Sequence, residues 1–266
     1  MNPLRITLIQ SNLQWENIEA NLQMFSQKIA AHKETCDVLV LPEMFSTGFS
    51  MRAKELAETM EGSAVQWMKQ TAAENNCVVT GSLIIEEAGE YHNRLVWMRP
   101  DGSFETYDKR HLFSLSGEDK VYTEGKDDLI VTVNGWHIKP LICYDLRFPV
   151  WSRNKNGAYD ALIYVANWPE RRVQAWKYLL IARAIENQAY CIGLNRAGND
   201  GNDIYYSGDS MVVDAVGNVL FHEQHNEVIT TITLNHEELI KTRNTFRFLE
   251  DGDDFVINPR RKIVGH

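Results

Sequence analysis

Hydrophobic and polar positions along the chain fall into short apolar runs separated by longer amphipathic segments. Residues 4–10 alternate enough for a first strand, and 17–32 carry Ile18, Leu22, Phe25 and Ile29 at helical spacing. Residues 37–41, DVLVL, read as a strand that is apolar after its first residue and is stopped by Pro42. A second helix is predicted over 63–75, with Val65, Met68 and Ala72 on one side. Strands at 77–86 and 91–99 join through Ala88-Gly89, and Asp101-Gly102 turns the chain into a strand at 103–107. Residues 112–125 are irregular. Strands at 129–133 and 136–142 flank Asn134-Gly135, the best two-residue hairpin signal in the chain. A short helix at 150–156, a buried strand at 161–166, a long helix at 173–188 and a strand at 189–194 follow. Strands at 210–213 and 218–222 flank Val216-Gly217, 228–234 is the last strand, and Asn235 caps a helix from His236.

Strands this numerous, and this often joined by hairpins, do not suit a purely parallel doubly wound sheet. Two mixed sheets packed together with helices outside fit the order. No repeat or linker interrupts it, so a single α/β domain over residues 1–266 is expected. A tail from about residue 245 to 266 mixes charge with Phe246, Phe248 and Phe255, and is expected to pack on the domain or on a partner.

The formal net charge of −9 argues against a nucleic-acid footprint, which would be basic. The opening MNPLRITLIQSN lacks signal-peptide anatomy, and no stretch approaches the ~20 apolar residues of a membrane span. Cys36, Cys77, Cys143 and Cys191 lie far apart in sequence, with no C-x-x-C or zinc-knuckle spacing. Neither zinc, another cofactor nor a disulfide framework is expected, and a reducing cytoplasm fits best. Gly125-Lys126 does not complete a phosphate loop, since no Gly stands five positions earlier and no Ser or Thr follows.

Candidate chemistry gathers at strand ends. In IKPLICYDLRFP (138–149) an apolar run ends in Cys143, and Pro149 follows at an early helix position. Strand, sharp turn and helix would expose the thiol and aim the Tyr144 N–H at a bound group, as a nucleophile elbow does. A helix N-terminus there would favour thiolate. A buried structural cysteine fits the same stretch. Glu43 follows the strand at 37–41, and Lys109 follows the strand at 103–107. Each alone has a bland reading as a solvated loop residue. Together they supply a thiol nucleophile, a carboxylate to take its proton, and an ammonium that, with the Tyr144 N–H, can stabilise an oxyanion. No histidine occupies a comparable position.

LPEMFSTGF, YDKRHLF and LICYDLRFP, in this order, resemble the three signature segments of the nitrilase superfamily of carbon–nitrogen hydrolases. The resemblance covers nearly the whole chain. It implies a four-layer α-β-β-α sandwich, with Glu43 as general base, Lys109 as oxyanion stabiliser and Cys143 as nucleophile. Glu118, in GEDKVYTEG, matches the additional glutamate that positions substrate and lysine in many members. The segments CYDLRFP, NWPERR and IENQAYCIGLNRAG are most similar to the ω-amidase branch. That implies hydrolysis of the terminal amide of a 2-oxo dicarboxylic acid monoamide, such as 2-oxoglutaramate or 2-oxosuccinamate, to the 2-oxo diacid and ammonia. Alternatives are a relative acting on nitriles, N-carbamoyl compounds or deaminated glutathione, a non-catalytic scaffold, and a thiol redox protein. An acidic substrate needs a cation that the overall charge does not supply. Arg147, Arg171 and Arg172 are candidates by position, each with a structural alternative: an ion pair for Arg147, and helix capping or solvation for the other two. Trp168 and Phe45 are candidates to line the pocket, although aromatics after strands commonly belong to the core. The resemblance also implies a homodimer.

Overall fold

In a computed structural model, which describes residues 1–258, the apolar runs pair into two mixed sheets. The first sheet takes β1 (Leu4–Gln10), β2 (Val38–Val40), β3 (Val78–Glu87), β4 (Glu90–Met98) and β5 (Phe104–Asp108). The second takes β6 (Val131–Val133), β7 (Trp136–Ile142), β8 (Ala161–Ala166), β9 (Tyr190–Asn195), β10 (Ala197–Asn199), β11 (Tyr205–Val213) and β12 (Val219–Gln224). The chain then returns to the first sheet, where β13 (Val228–Leu234) pairs antiparallel with β1. The resulting orders are β13-β1-β2-β3-β4-β5 and β6-β7-β8-β9-β11-β10, with β12 off this path and paired antiparallel with β11.

β1, β2 and β3 run parallel to one another, as do β7, β8 and β9. Parallel strands are covered on both faces and therefore read as unbroken apolar runs. β8, ALIYVA, is buried at every position. Alternation in β1 sends Leu4, Ile6 and Leu8 to the core between the sheets, with Ile138 and Ile163 opposite. Ile9 points the other way, into a layer with Phe25 of α1 (Ile18–Ala31) and with Val65 and Met68. α2 (Ala53–Leu56) is a single turn, and α3 (Ser63–Asn75) supplies Val65 and Met68 to that layer. On the far side, α4 (Pro149–Ser152) is short, and α5 (Val173–Asn187) covers the second sheet through Trp176, Leu180 and Ala184. α6 (His236–Thr245) closes the layer, with Asn235 capping its first turn. The architecture is the four-layer α-β-β-α sandwich.

Four elements depart from the sequence pattern, each for a local reason. The helix expected at 150–156 shrinks to α4, because Arg153 takes an extended backbone (ψ 127°) and the chain then turns at Asn156 and Gly157, both at positive φ. β11 starts five residues early, at Tyr205: Gly208 and Asp209 adopt left-handed backbone in a bulge that interrupts the alternation. β10 and α2 are too short to carry a period. The tail is described to residue 258, where the Phe246 carbonyl accepts from Gln188 and the Phe255 carbonyl from Lys155. Residues 259–266 of that tail lie outside the described residues. Among the described residues, no helix is long and apolar enough to cross a membrane.

Gly125 fixes how the irregular segment returns to β5. Its N–H donates to the Lys109 carbonyl at 3.0 Å, and a Cβ there would lie 2.0 Å from the Asp108 carbonyl oxygen. Backbone cannot yield as a side-chain tip can. Gly125→Ala should therefore destabilise the fold by about 1–3 kcal/mol and lower the melting temperature by several degrees, measured by thermal unfolding. An unchanged midpoint would contradict this close approach.

Candidate active site

Glu43, Lys109 and Cys143 come from different strands that finish at one edge of the sandwich. Glu43 lies three residues past β2, Lys109 directly past β5, and Cys143 directly past β7. Cys143 opens a short 3₁₀ segment, Cys143–Arg147, and holds a left-handed φ of 43°. A non-glycine residue there is strained, by about 1–3 kcal/mol. The sharp turn expected after the strand is present, but it leaves the thiol buried at the floor of the site rather than exposed.

Lys109 Nζ donates to Glu43 Oε1 at 2.8 Å and to both Glu118 oxygens at 2.9 Å. All three side chains are fully buried. Asn93 Nδ2 bridges the two carboxylates, donating to Glu43 Oε1 at 2.8 Å and Glu118 Oε1 at 3.1 Å. The second Glu43 oxygen accepts the Asn167 N–H at 2.8 Å, and the second Glu118 oxygen accepts the Phe113 N–H at 2.5 Å. Phe49 lies over Lys109 Nζ, 5.2 Å from ring centre to nitrogen. Burial acts to discharge Lys109, but the carboxylates of Glu118 and Glu43 outweigh it and hold the ammonium above its ordinary range. Burial raises the Glu118 carboxyl, with Lys109 opposing and Glu43 reinforcing the rise.

Cys143 Sγ sits 4.0 Å from the Asn167 carbonyl oxygen. The helix-terminus argument for a resting thiolate is overturned here. Burial and the adjacent Glu43 carboxylate push the thiol well above its ordinary range, and Lys109 only partly opposes them. A five-residue 3₁₀ segment offers too little dipole to reverse that desolvation. The arrangement can nonetheless pass a proton: a neutral thiol faces a carboxylate, with a fixed ammonium beside both.

A cavity of about 640 Å³ opens over this group. Tyr144, Arg147 and Trp168 line it, together with Arg171, Arg172, Phe49 and Phe113. Arg147 stacks on Trp168 at 4.9 Å and Arg172 on Phe113 at 4.9 Å. Phe45 is a correction. Met44 takes a left-handed φ of 44°, which turns Glu43 toward the site and Phe45 to the opposite side. Phe45 packs edge-on against Phe25 at 5.8 Å, in the layer under α1 and α3. Phe49, four residues on, takes the pocket position.

Asn93 and Asn167 are additions that sequence reasoning missed. Asn93 is a fully buried amide within the apolar stretch of β4, and a buried polar group must find partners. Asn167 follows β8 directly and so obeys the same strand-end rule as the other three. All four cysteines are free. Cys36 and Cys77, distant in sequence, adjoin: a hydrogen bond from Cys77 lowers the Cys36 thiol to about 7.

Labelling with iodoacetamide, resolved by residue, checks the ionisation of Cys143. A raised thiol gives up its proton only at higher pH, so the Cys143 rate should still be climbing between about pH 6 and about pH 9. Cys36, partly exposed and lowered, should label faster at neutral pH. A Cys143 rate already level at neutrality would contradict this assignment.

Comparison with known proteins places this geometry in a family. The family model described as carbon–nitrogen hydrolase matches residues 5–244. An ω-amidase of Yersinia enterocolitica, YafV, is 41% identical over 97% of this chain and 100% of its own. A 2-oxoglutaramate amidase of Bacillus subtilis is 31% identical over 92% of this chain and 96% of its own. Among solved structures, a carbon–nitrogen hydrolase superfamily protein of Xanthomonas campestris superposes with a TM-score of 0.95 at 39% identity, covering 97% of this chain and 100% of that one. That crystal structure holds an arsenic adduct in its active site. The chain belongs to the carbon–nitrogen hydrolase family, and is a hydrolase of non-peptide carbon–nitrogen bonds.

Proposed function

We propose that this hydrolase is an ω-amidase, cleaving the terminal amide of 2-oxo dicarboxylic acid monoamides such as 2-oxoglutaramate and 2-oxosuccinamate. Cys143 is the nucleophile. Glu43 takes the thiol proton as Sγ attacks the amide carbon, and the Lys109 ammonium with the Tyr144 N–H stabilises the oxyanion. The proton then passes to the leaving nitrogen, ammonia departs, and a thioester remains. Water attacks the thioester carbon with Glu43 accepting its proton, which releases the 2-oxo diacid and restores the thiol. Glu118 holds Lys109 in place, since both its oxygens accept from Nζ.

One observation carries the choice of an acidic substrate. Arg147, Arg171 and Arg172 all line the cavity, yet none of them forms an ion pair among the described residues. Three unneutralised guanidiniums beside a thiol suit a substrate with a carboxylate one short chain away from its amide. The ω-amidase and 2-oxoglutaramate amidase named above support the same reading.

A bulkier amide, of the deaminated-glutathione kind, is the second reading. The 640 Å³ volume favours it, being in the range of pockets that enclose drug-sized ligands. We further propose one hydrolase domain over 1–266 acting in the cytoplasm as a homodimer. Tyr178 and Ile185 of α5, with Val219 and Leu220 of β12, supply an exposed apolar face that supports pairing. Sedimentation velocity reads the oligomeric state.

Cys143→Ala should abolish ammonia release from 2-oxoglutaramate with the melting temperature preserved. Arg147→Ala should raise KM about 10- to 100-fold, the loss of one charge-assisted hydrogen bond of roughly 1.5–3 kcal/mol. Full turnover by the Cys143 variant would sink the mechanism. A panel of amides in which a non-oxo amide shows the highest kcat/KM would replace the substrate assignment.

A further inference from the structure

Beneath the elbow lies a second buried polar group, outside the lining of the cavity. Asp145, fully buried, directs its carboxylate back under β7. Oδ2 accepts the Ile142 N–H at 3.1 Å and the Tyr107 hydroxyl at 2.8 Å. Oδ1 accepts the His111 N–H at 3.0 Å and lies 2.7 Å from His111 Nδ1. Ile142 immediately precedes Cys143. Tyr107 and His111 stand two residues before and two residues after Lys109. One carboxylate therefore grips the strand that presents the thiol and both flanks of the residue that presents the ammonium.

The grip is closed on every side. Tyr107 Oη, having donated to Asp145, accepts the Trp151 Nε1–H at 3.0 Å and the Arg110 N–H at 3.2 Å. The His111 ring is stacked on Phe148 with centroids 3.8 Å apart and planes 7° from parallel. Phe148 in turn donates its N–H to the Asp145 carbonyl at 3.0 Å. β5 and β7 belong to different sheets, so this network is a strut across the sandwich. A carboxylate suits it because four donors converge and a carboxylate is acceptor only. An asparagine would turn an N–H₂ toward donors.

We propose that Asp145 is a positioning residue: it sets the separation of Lys109 from Cys143, acting through Tyr107, His111 and the Ile142 amide. The proposal rests on the roles given above to Lys109 and Cys143. Loss of the strut lets the ammonium drift from the reacting atoms, and misplacement by about 1 Å costs on the order of 100-fold in rate.

The test compares Asp145→Asn and Tyr107→Phe in a Cys36→Ser background, which removes the competing thiol. Phe25→Leu, in the outer layer away from the site, gives the scale of a merely structural loss. Two readouts are taken: steady-state ammonia release from 2-oxoglutaramate, and the rate of iodoacetamide labelling at Cys143. Asp145→Asn should lower kcat about 100-fold, with KM within about twofold, and slow Cys143 labelling in parallel. Tyr107→Phe, which keeps three of the four bonds, should lower both by a smaller factor. Phe25→Leu should lower the melting temperature and leave both rates unchanged. Labelling needs no amide substrate, so it tests the strut even if the parent enzyme fails to hydrolyse 2-oxoglutaramate, an outcome that would count against the substrate assignment alone. Should Asp145→Asn not fold, Tyr107→Phe decides. Variants that fold with parental kcat and labelling rate, or that change KM only, overturn the proposal.

Discussion

An ammonium held between two carboxylates, away from water, is the interaction on which the rest of this molecule turns. Desolvating Lys109, Glu43 and Glu118 costs several kcal/mol per ion, and attraction offsets that only if geometry is tight and the remaining lone pairs are filled. Each condition is met by a named group. Nζ lies 2.8–2.9 Å from three carboxylate oxygens. Asn93, the Asn167 N–H and the Phe113 N–H occupy the remaining acceptor positions. Breaking such a cluster by removing one partner costs about 3–5 kcal/mol, a large share of the net stability of a domain. The same contacts that hold the sheets' edge together also hold the chemistry, so site and fold are not separable here.

Strain is concentrated beside those charges. Met44 and Cys143 both adopt left-handed backbone, next to Glu43 and at the thiol itself. Neither is glycine, so each conformation persists because its surroundings over-determine it. Ser82 Oγ accepts the Met44 N–H at 2.9 Å and donates onward to Asn93, tying the first corner to the charged cluster. The Ile142 N–H bound by Asp145 steadies the second. Both corners re-aim a side chain that a regular strand would have sent into a core.

The legible part of the fold was the part governed by period. Residues 63–75, 136–142, 161–166 and 228–234 match their elements to the residue, since burial of one face or two leaves an unmistakable pattern. Turn chemistry located the hairpin at Asn134-Gly135, both at positive φ. The expected convergence of Glu43, Lys109 and Cys143 came from one rule, that groups directly past strand ends meet at one edge. The rule was right in direction and incomplete in reach: Asn167 obeys it too. What was not legible depends on single dihedral angles or on charge buried by tertiary packing. Phe45 was turned from the pocket by one left-handed residue before it. The ionisation of Cys143 was set by desolvation, which no local motif encodes. The contact between Cys36 and Cys77 arises where β2 and β3 begin side by side, far apart in sequence.

The first sheet is completed by its last strand. β13 pairs along all seven residues of β1, from Leu4↔Leu234 to Gln10↔Val228. During synthesis, therefore, β1 emerges more than two hundred residues before the strand that shields its outer edge. Until the ribosome has delivered β13, that edge offers open backbone donors and acceptors to any neighbouring chain. Nascent chains of this protein have a long interval in which chaperone cover at the N-terminal strand matters most, and truncation before residue 228 would leave that interval permanently open.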